Sequence, residues 1–191
     1  MRNAIMLLAV SLAVGIIGCA EQATKDGAGG AGRFILRVNA GADKEYVDLS
    51  GAAWLADQEY SAGAKWGALG GKTVSREGLE IKGTPNPDVY LTERYSMEGY
   101  RFDLPNGNYT VRLHFAETFP GVTDVGMRVF TVNIQGKPVL TDFDVFKEAG
   151  GFAKPVVKTF KDVAVADGNL RIEFERIKQS PEINGIEVLA P

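Results

Sequence analysis

Residues 109–117 read YTVRLHFAE, and the alternation along this stretch decides the fold class. From residue 109 to 115 every second position is apolar, namely Tyr109, Val111, Leu113 and Phe115. The positions between them are polar or charged, namely Thr110, Arg112 and His114. Because successive side chains of a β-strand point to opposite faces, this period of two predicts a strand with one buried face.

Similar runs extend through the rest of the chain. Apolar residues alternate again in segments 130–134 and 170–174. The predicted strands cover residues 34–38, 79–82, 89–92, 100–104, 109–115, 128–134, 156–165, 170–174 and 183–189. Turn-forming sequences separate several of them, such as PNGN at 105–108, QGKP at 135–138 and DGN at 167–169. With only a short helix expected at 52–60, the pattern predicts a single all-β sandwich, in particular a jelly roll.

Composition excludes several kinds of chemistry. The 191 residues include one cysteine and one histidine, and the net charge is -3. An internal disulfide and a Cys/His zinc site both need more of these residues. A Ser-His-Asp site would have to use His114, for which a surface or interface position is the favoured interpretation. Nucleic-acid binding is not expected, because lysine and arginine form no cluster.

The first nineteen residues have the features of a bacterial export signal. A positive charge at Arg2 precedes an apolar run at 4–17, which is short for a membrane span. The run ends in Gly18-Cys19, which resembles the lipobox of bacterial lipoproteins. We therefore expect a signal peptide at 1–18 and a membrane anchor through lipid on Cys19, with the outer membrane as the favoured location. A secretory peptide with an incidental cysteine and a short membrane anchor remain alternatives.

Residues 20–32 are small, polar and glycine-rich, so segment 19–32 is expected to combine the lipidated cysteine with a flexible tether. The folded domain would then occupy residues 33–191. Its predicted loops are rich in aromatic residues, namely Tyr60, Trp66, Tyr95 and Phe119. Rings that stack on sugar C–H faces, together with polar groups that bind hydroxyls, suit a carbohydrate site. Capping of the core is the alternative role for each ring.

From about residue 34 to 189 the chain resembles a malectin domain, a carbohydrate-binding jelly roll of the galactose-binding/malectin-like type. The matching segments are RVNAG at 37–41, WLADQEY at 54–60, YLTERY at 90–95, YTVRLHFAE at 109–117, GMRVFTVNIQG at 126–136, LTDFDVFKEAGG at 140–151 and PEINGIEV at 181–188. The resemblance implies a glycan ligand, such as a glucose- or galactose-containing oligosaccharide or polysaccharide. It implies no cofactor.

The resemblance also implies positions for the sugar site. Tyr95 falls on the family's sugar-stacking tyrosine, Phe119 on the first ring of an aromatic pair, and Trp66 on an earlier loop aromatic. Gln179 falls where the family has a sugar-binding aspartate, so an amide replaces a charged acceptor. Tyr90 and Glu93, in the same matching segment as Tyr95, complete the expected carbohydrate-binding set.

The favoured interpretation is a non-catalytic glycan-binding lipoprotein of the bacterial cell envelope. One alternative is a small glycosidase or lyase that uses carboxylates from the set Glu93, Glu117, Asp142 and Asp144. Another is a structural envelope module that binds a protein. Oxygen ligands at 142–144 leave a calcium ion open, although the spacing is not that of an EF-hand.

Some matching residues are expected to serve the fold instead. Glu93, Arg94 and Glu117 are expected to form an ion-pair cluster, and Asp142 or Asp144 to cap a turn. Asn184-Gly185 is expected to interrupt the last strand as a bulge.

Overall fold

The computed structural model describes residues 34–190 of the chain. The predictions for the signal segment, Cys19 and the tether lie outside the described residues. Among the described residues, no helix has the length and apolar character needed to cross a membrane. The strands and core clusters that the structure describes lie between residues 34 and 190, so a chain of residues 33–191 includes them.

The larger of two main sheets has six strands, and most of the stretch 109–117 lies in one of its inner strands. In their order across the sheet the strands are β11 (Pro155–Val165), β8 (Gly107–Ala116), β14 (Gly185–Leu189), β1 (Phe34–Asn39), β3 (Ala53–Ala56) and β2 (Tyr46–Val47). All neighbours are antiparallel except β1 and β3, which are parallel. In β8, Val111, Leu113 and Phe115 are fully buried, as the alternation predicts.

The second main sheet has five strands and packs face to face with the first. Its order is β10 (Lys137–Phe143), β9 (Val129–Ile134), β12 (Asn169–Lys178), β7 (Gly99–Asp103) and β4 (Trp66–Leu69). Phe115 of the first sheet and Phe130 of the second lie 6.1 Å apart between ring centroids. One core of apolar side chains therefore fills the space between the sheets, and the predicted all-β sandwich is confirmed.

A third, three-stranded sheet lies at one end of the sandwich. It contains β13 (Glu182–Ile183), β6 (Thr92–Tyr95) and β5 (Lys72–Ser75), in that order. The break between β13 and β14 falls at the buried Asn184, as expected for an interruption of the last strand. The Asn184 side chain accepts a hydrogen bond from the Ala116 N–H at 2.6 Å and donates one to the Thr92 carbonyl at 2.8 Å. Asn184 thereby ties the small sheet to the end of β8.

Between residues 34 and 190 the helical content is small, and it differs from the prediction in position. The helix expected at 52–60 is wrong, because residues 53–56 form β3 beside β1. The strand expected at 89–92 is replaced in part by a 3-10 helix at Pro87–Tyr90, and 79–82 contains no strand. One short α-helix, α1 (Val145–Ala149), starts at Asp144, whose side chain accepts from the Lys147 N–H at 3.0 Å. This confirms the expected cap.

Candidate functional site

A cleft of about 330 Å³ opens beside the three-stranded sheet. Its lining combines two aromatic rings, two guanidinium groups, an amide and a carboxylate. The lining residues are Val74, Arg76, Glu93, Tyr95, Phe119, Arg128, Gln179 and Ser180. They come from β5 and the residue after it, from β6, from the segment after β8, from the residue before β9 and from the link between β12 and β13.

Strand register shows which side chains of the small sheet face this cleft. Glu93 of β6 is opposite Val74 of β5, and Tyr95 is opposite Glu182 of β13. Residues directly opposite each other in antiparallel strands share one face, and so do residues two apart in one strand. These four side chains therefore project from the same face of the small sheet, and the cleft lies over that face.

The rim carries the exposed ring of Phe119. Its accessibility of 39% is high for a phenylalanine, and the Arg76 guanidinium carbon lies 5.8 Å from its ring centroid. A tight turn holds the ring, because the Val122 N–H donates to the Phe119 carbonyl at 3.0 Å and the Phe119 N–H donates to Glu117 Oε1 at 3.0 Å. A Cβ on Gly121 would lie 2.4 Å from Cε1 of the ring, so a larger residue at 121 would clash with the ring in this position.

The charged side chains that line the cleft are paired. Arg76 Nη2 donates to Glu93 Oε1 at 3.1 Å, and the Thr118 hydroxyl donates to Glu93 Oε2. Arg128 donates to Glu117 from Nε at 2.6 Å and from Nη2 at 3.2 Å, and to the Ser180 carbonyl from Nη1. Burial raises the pKa of Glu117, while the hydrogen bonds from Arg128 act in the opposite direction. Two ion pairs thus hold the walls together.

Four of the six predicted sugar-site residues meet in this cleft, namely Glu93, Tyr95, Phe119 and Gln179. Trp66 does not, because it begins β4 and stacks on Phe102 with 6.3 Å between ring centroids. Tyr90 does not either, since it is only 4% exposed and its hydroxyl lies 2.9 Å from His114 Nδ1. Both rings pack into hydrophobic clusters of the fold.

Two expectations about charged residues are corrected. His114 is 8% exposed rather than at the surface, and its Nε2 lies 2.8 Å from Glu187 Oε1. Glu93, Arg94 and Glu117 do not form one cluster, because Arg94 points to the opposite face of β6 from Glu93. Arg94 pairs with Asp57 at 2.7 Å and with Glu59 at 2.6 Å.

Two arginines of the cleft, Arg76 and Arg128, were not predicted as site residues. Arg128 begins the alternating run at 128–134 and lies within a segment that matches the family, but nothing in the sequence pairs it with Glu117. Asp142 and Asp144, the other carboxylates considered for catalysis, do not line the cleft. Asp144 caps α1 and accepts from the Gly126 N–H. Within residues 34–190 no group of three or more Asp, Glu, His or Cys residues is arranged to hold a metal ion.

The chain belongs to the malectin domain family, whose model matches residues 34–187. A probable receptor-like protein kinase of Arabidopsis thaliana is 28% identical over 189 residues, which cover 81% of this chain and 22% of the kinase. A probable leucine-rich repeat receptor-like serine/threonine-protein kinase of the same plant is 42% identical over 126 residues, or 62% of this chain and 12% of that protein. The chain thus spans less than a quarter of either relative.

Solved structures share the fold of this chain. The crystal structure of Bacteroides uniformis beta-glucuronidase matches 82% of this chain with 30% identity and a TM-score of 0.74, over 18% of the enzyme. The plant receptor-like kinase FER, in its complex with plant peptide RALF23 and LLG2, matches 81% of this chain and 48% of its own. Its identity is 23% and its TM-score 0.66, so that similarity concerns the fold.

Proposed function

We propose that this malectin-domain protein binds an oligo- or polysaccharide, without acting on it chemically, in the cleft between Tyr95 and Phe119. The observation that carries the proposal is the meeting of these two rings with the Gln179 amide and the Arg76 guanidinium in one cleft. The rings offer flat apolar faces to sugar C–H groups. The amide and the guanidinium offer donors and acceptors for hydroxyl groups.

Binding suits the cleft better than hydrolysis does. Hydrolysis of a glycosidic bond needs two carboxyl groups that face the substrate, one of which gives up or takes a proton. Glu93 and Glu117 are 2% and 0% exposed, and each is held by an arginine. Carboxylates committed in this way act as structural supports for the cleft walls.

Affinity at a single cleft is expected to be modest. The volume is near the lower end of the range of small-ligand pockets, about 300–1,000 Å³. Much of the gain from stacking is offset because sugar hydroxyls and the polar lining lose water. Several copies displayed together on one surface would compensate by engaging repeated units of a polymer.

The experiment is a glycan array with soluble residues 33–191, followed by titration calorimetry on the glycans that bind. Tyr95→Ala and Gln179→Ala should each weaken binding about tenfold or more, as expected when about 1.4 kcal/mol of contact is lost. Tyr60→Ala is the matched control, because the Tyr60 hydroxyl bonds Asp103 at 3.1 Å outside the cleft. A wild-type domain that binds no gluco- or galacto-configured oligosaccharide at millimolar concentration would refute the proposal. Reducing-sugar release by the wild type would refute its non-catalytic part.

We also propose that the protein is an envelope lipoprotein anchored through Cys19, with the tether joining the domain at the end opposite the cleft. Support comes from the apolar run at 4–17 followed by Gly18-Cys19. Strand register supports the position of the tether. Phe34 pairs with Leu189, which pairs with Thr110 near the start of β8. Phe119 follows the other end of β8, about 20 Å away at roughly 3.3 Å per residue.

Metabolic labelling with a fatty acid in a bacterial host tests this anchor. The wild-type chain should carry the label and sediment with membranes, and Cys19→Ser should lose both properties. A labelled Cys19→Ser chain, or an unlabelled wild-type chain, would contradict lipid attachment at this residue.

A further inference from the structure

Glu182 lies under the cleft without a partner for its charge. Its side chain is 0% exposed, and neither carboxylate oxygen has a hydrogen-bond partner among the described residues. It sits directly opposite Tyr95, on the face of the small sheet that carries the cleft. An ionised carboxylate in such a place would be very costly, whereas a protonated carboxyl is tolerated far better.

The groups around Glu182 oppose its ionisation on balance. Burial is the largest cause that raises the pKa of Glu182 well above its ordinary value, and Glu93 on β6 adds to it. Arg128, just before β9, acts in the opposite direction, and Glu117, just after β8, again raises the pKa. Arg76 is engaged with Glu93. His114 on β8 faces Tyr90 and Glu187 instead.

We propose that Glu182 remains an uncharged carboxylic acid beneath the floor of the cleft, and that loss of its proton loosens one wall of the cleft. This inference rests on the proposed function only in taking the cleft as the binding site. An ionised Glu182 would compete with Glu117 for Arg128. Arg128 also holds the Ser180 carbonyl, next to Gln179, so its displacement would move the polar side of the cleft relative to Tyr95.

The expected pH dependence has a definite sign. In the unfolded chain Glu182 loses its proton near its ordinary pKa, about 4.3. The folded protein keeps that proton to higher pH, so folding binds a proton between the two values. In that window the folding equilibrium constant falls about tenfold per pH unit from this residue alone, and the fall ends above the pKa of the folded state.

The first test needs no glycan and no substitution. In residues 33–191 labelled with ¹³C at glutamate, the side-chain carboxyl carbon of Glu182 is followed by NMR as pH rises. We expect it to stay protonated to a pH well above its ordinary pKa. We also expect the amide resonances of Tyr95 and Ser180 to shift together with it at higher pH. Titration of Glu182 near its ordinary value, or resonances of Tyr95 and Ser180 that do not follow Glu182, would overturn the proposal.

The second test uses Glu182→Gln, which keeps the shape and removes the proton equilibrium. The variant should lose both the pH-dependent shift at Tyr95 and the tenfold-per-unit fall in folding equilibrium constant. Glu77→Gln, an exposed position, should keep both. A Glu182→Gln variant that retains the Tyr95 transition would overturn the proposal, and if the variant does not fold, the wild-type titration decides alone. Failure of the glycan array would remove the proposed ligand but leave these pH readouts unchanged, so the two failures are distinguishable.

Discussion

Arg128 and Glu117 form a buried two-point ion pair, with 2.6 Å from Nε to Oε2 and 3.2 Å from Nη2 to Oε1. The pair joins the residue before β9 to the segment that follows β8, and its outer neighbours are Phe119 and Ser180 of the cleft. The same two side chains therefore contribute to stability and to the shape of the site.

Removal of one partner from this pair should be more costly than removal of both. Arg128→Met should lower the free energy of unfolding by about 3–5 kcal/mol, because Glu117 is left as an uncompensated buried charge. Arg128→Met combined with Glu117→Gln should recover a large part of that loss. Urea unfolding measures both. Arg171→Met is the control, since its pair with Asp167 is exposed and its loss should change stability far less. Equal losses in the single and double variants would contradict this account.

The buried Glu187 should make part of the stability depend on acid pH. Although burial opposes ionisation, the hydrogen bond from His114 and the nearby arginines 112 and 37 lower the pKa of Glu187. A group with a depressed pKa stabilises the fold above its unfolded value, about 4.3 for glutamate, and loses that contribution as pH falls through the folded value. Glu187→Gln should therefore be less stable than the wild type near neutral pH.

The difference between the wild type and Glu187→Gln should shrink as pH approaches the folded pKa of Glu187. Thermal unfolding over a pH series measures it. Glu173→Gln serves as the matched control, because this residue lies on β12 outside the His114 network. A constant difference at all pH values would show that the variant acts through packing rather than through the charge.

Gly41 is needed for a close approach and not only for its backbone angle. It has φ +83°, and a Cβ at this position would lie 2.4 Å from the backbone oxygen of Glu93. Gly78 has nearly the same angle, φ +81°, but no heavy atom within 4 Å of such a Cβ. Gly78→Ala should cost about 1–2 kcal/mol, the penalty of the left-handed conformation.

Gly41→Ala should cost more than Gly78→Ala by about 2 kcal/mol, because β6 must also shift. Chemical unfolding of the two variants separates the two effects. Since the shifted strand carries Glu93 and Tyr95, Gly41→Ala should in addition weaken glycan binding, and Gly78→Ala should leave it unchanged. Similar losses of stability in both variants would indicate that the contact with Glu93 relaxes easily.

Local sequence patterns predicted most strands, because the alternation of apolar residues within a strand indicates which of its faces is buried. The alternation at 109–117 is a property of neighbouring positions, and the buried Leu113 and Phe115 follow from it. The 3-10 helix at Pro87–Tyr90 was not predicted, because its apolar residues Val89 and Tyr90 are buried in the smaller core cluster just as strand residues would be. A run of apolar residues at that site looks the same whether it is extended or helical.

The site was predicted only in part, for a related reason. Family resemblance supplied Tyr95, Phe119 and Gln179, which do line one cleft. The pair of Arg76 with Glu93 follows from strand register, and the pair of Arg128 with Glu117 from the way two loops meet. Neither ion pair can be predicted from a local sequence pattern, because its two residues are far apart in the chain. The family resemblance placed Trp66 in a loop, yet Trp66 begins β4, and Gly67 permits this strand to pass close to the backbone of Tyr60.

The separation of Trp66 from the cleft leads to a last prediction about binding. Trp66 stacks on Phe102 in the main core, whereas Tyr95 lies in the cleft lining. Trp66→Phe should lower stability by about 1–3 kcal/mol through lost packing and leave the glycan dissociation constant within about twofold of the wild type. Tyr95→Ala should have the opposite profile, with modest loss of stability and at least tenfold weaker binding. Calorimetric titration and thermal unfolding of both variants distinguish the two roles. If Trp66→Phe weakened binding as strongly as Tyr95→Ala while remaining fully folded, the ligand would have to extend to the outer edge of β4.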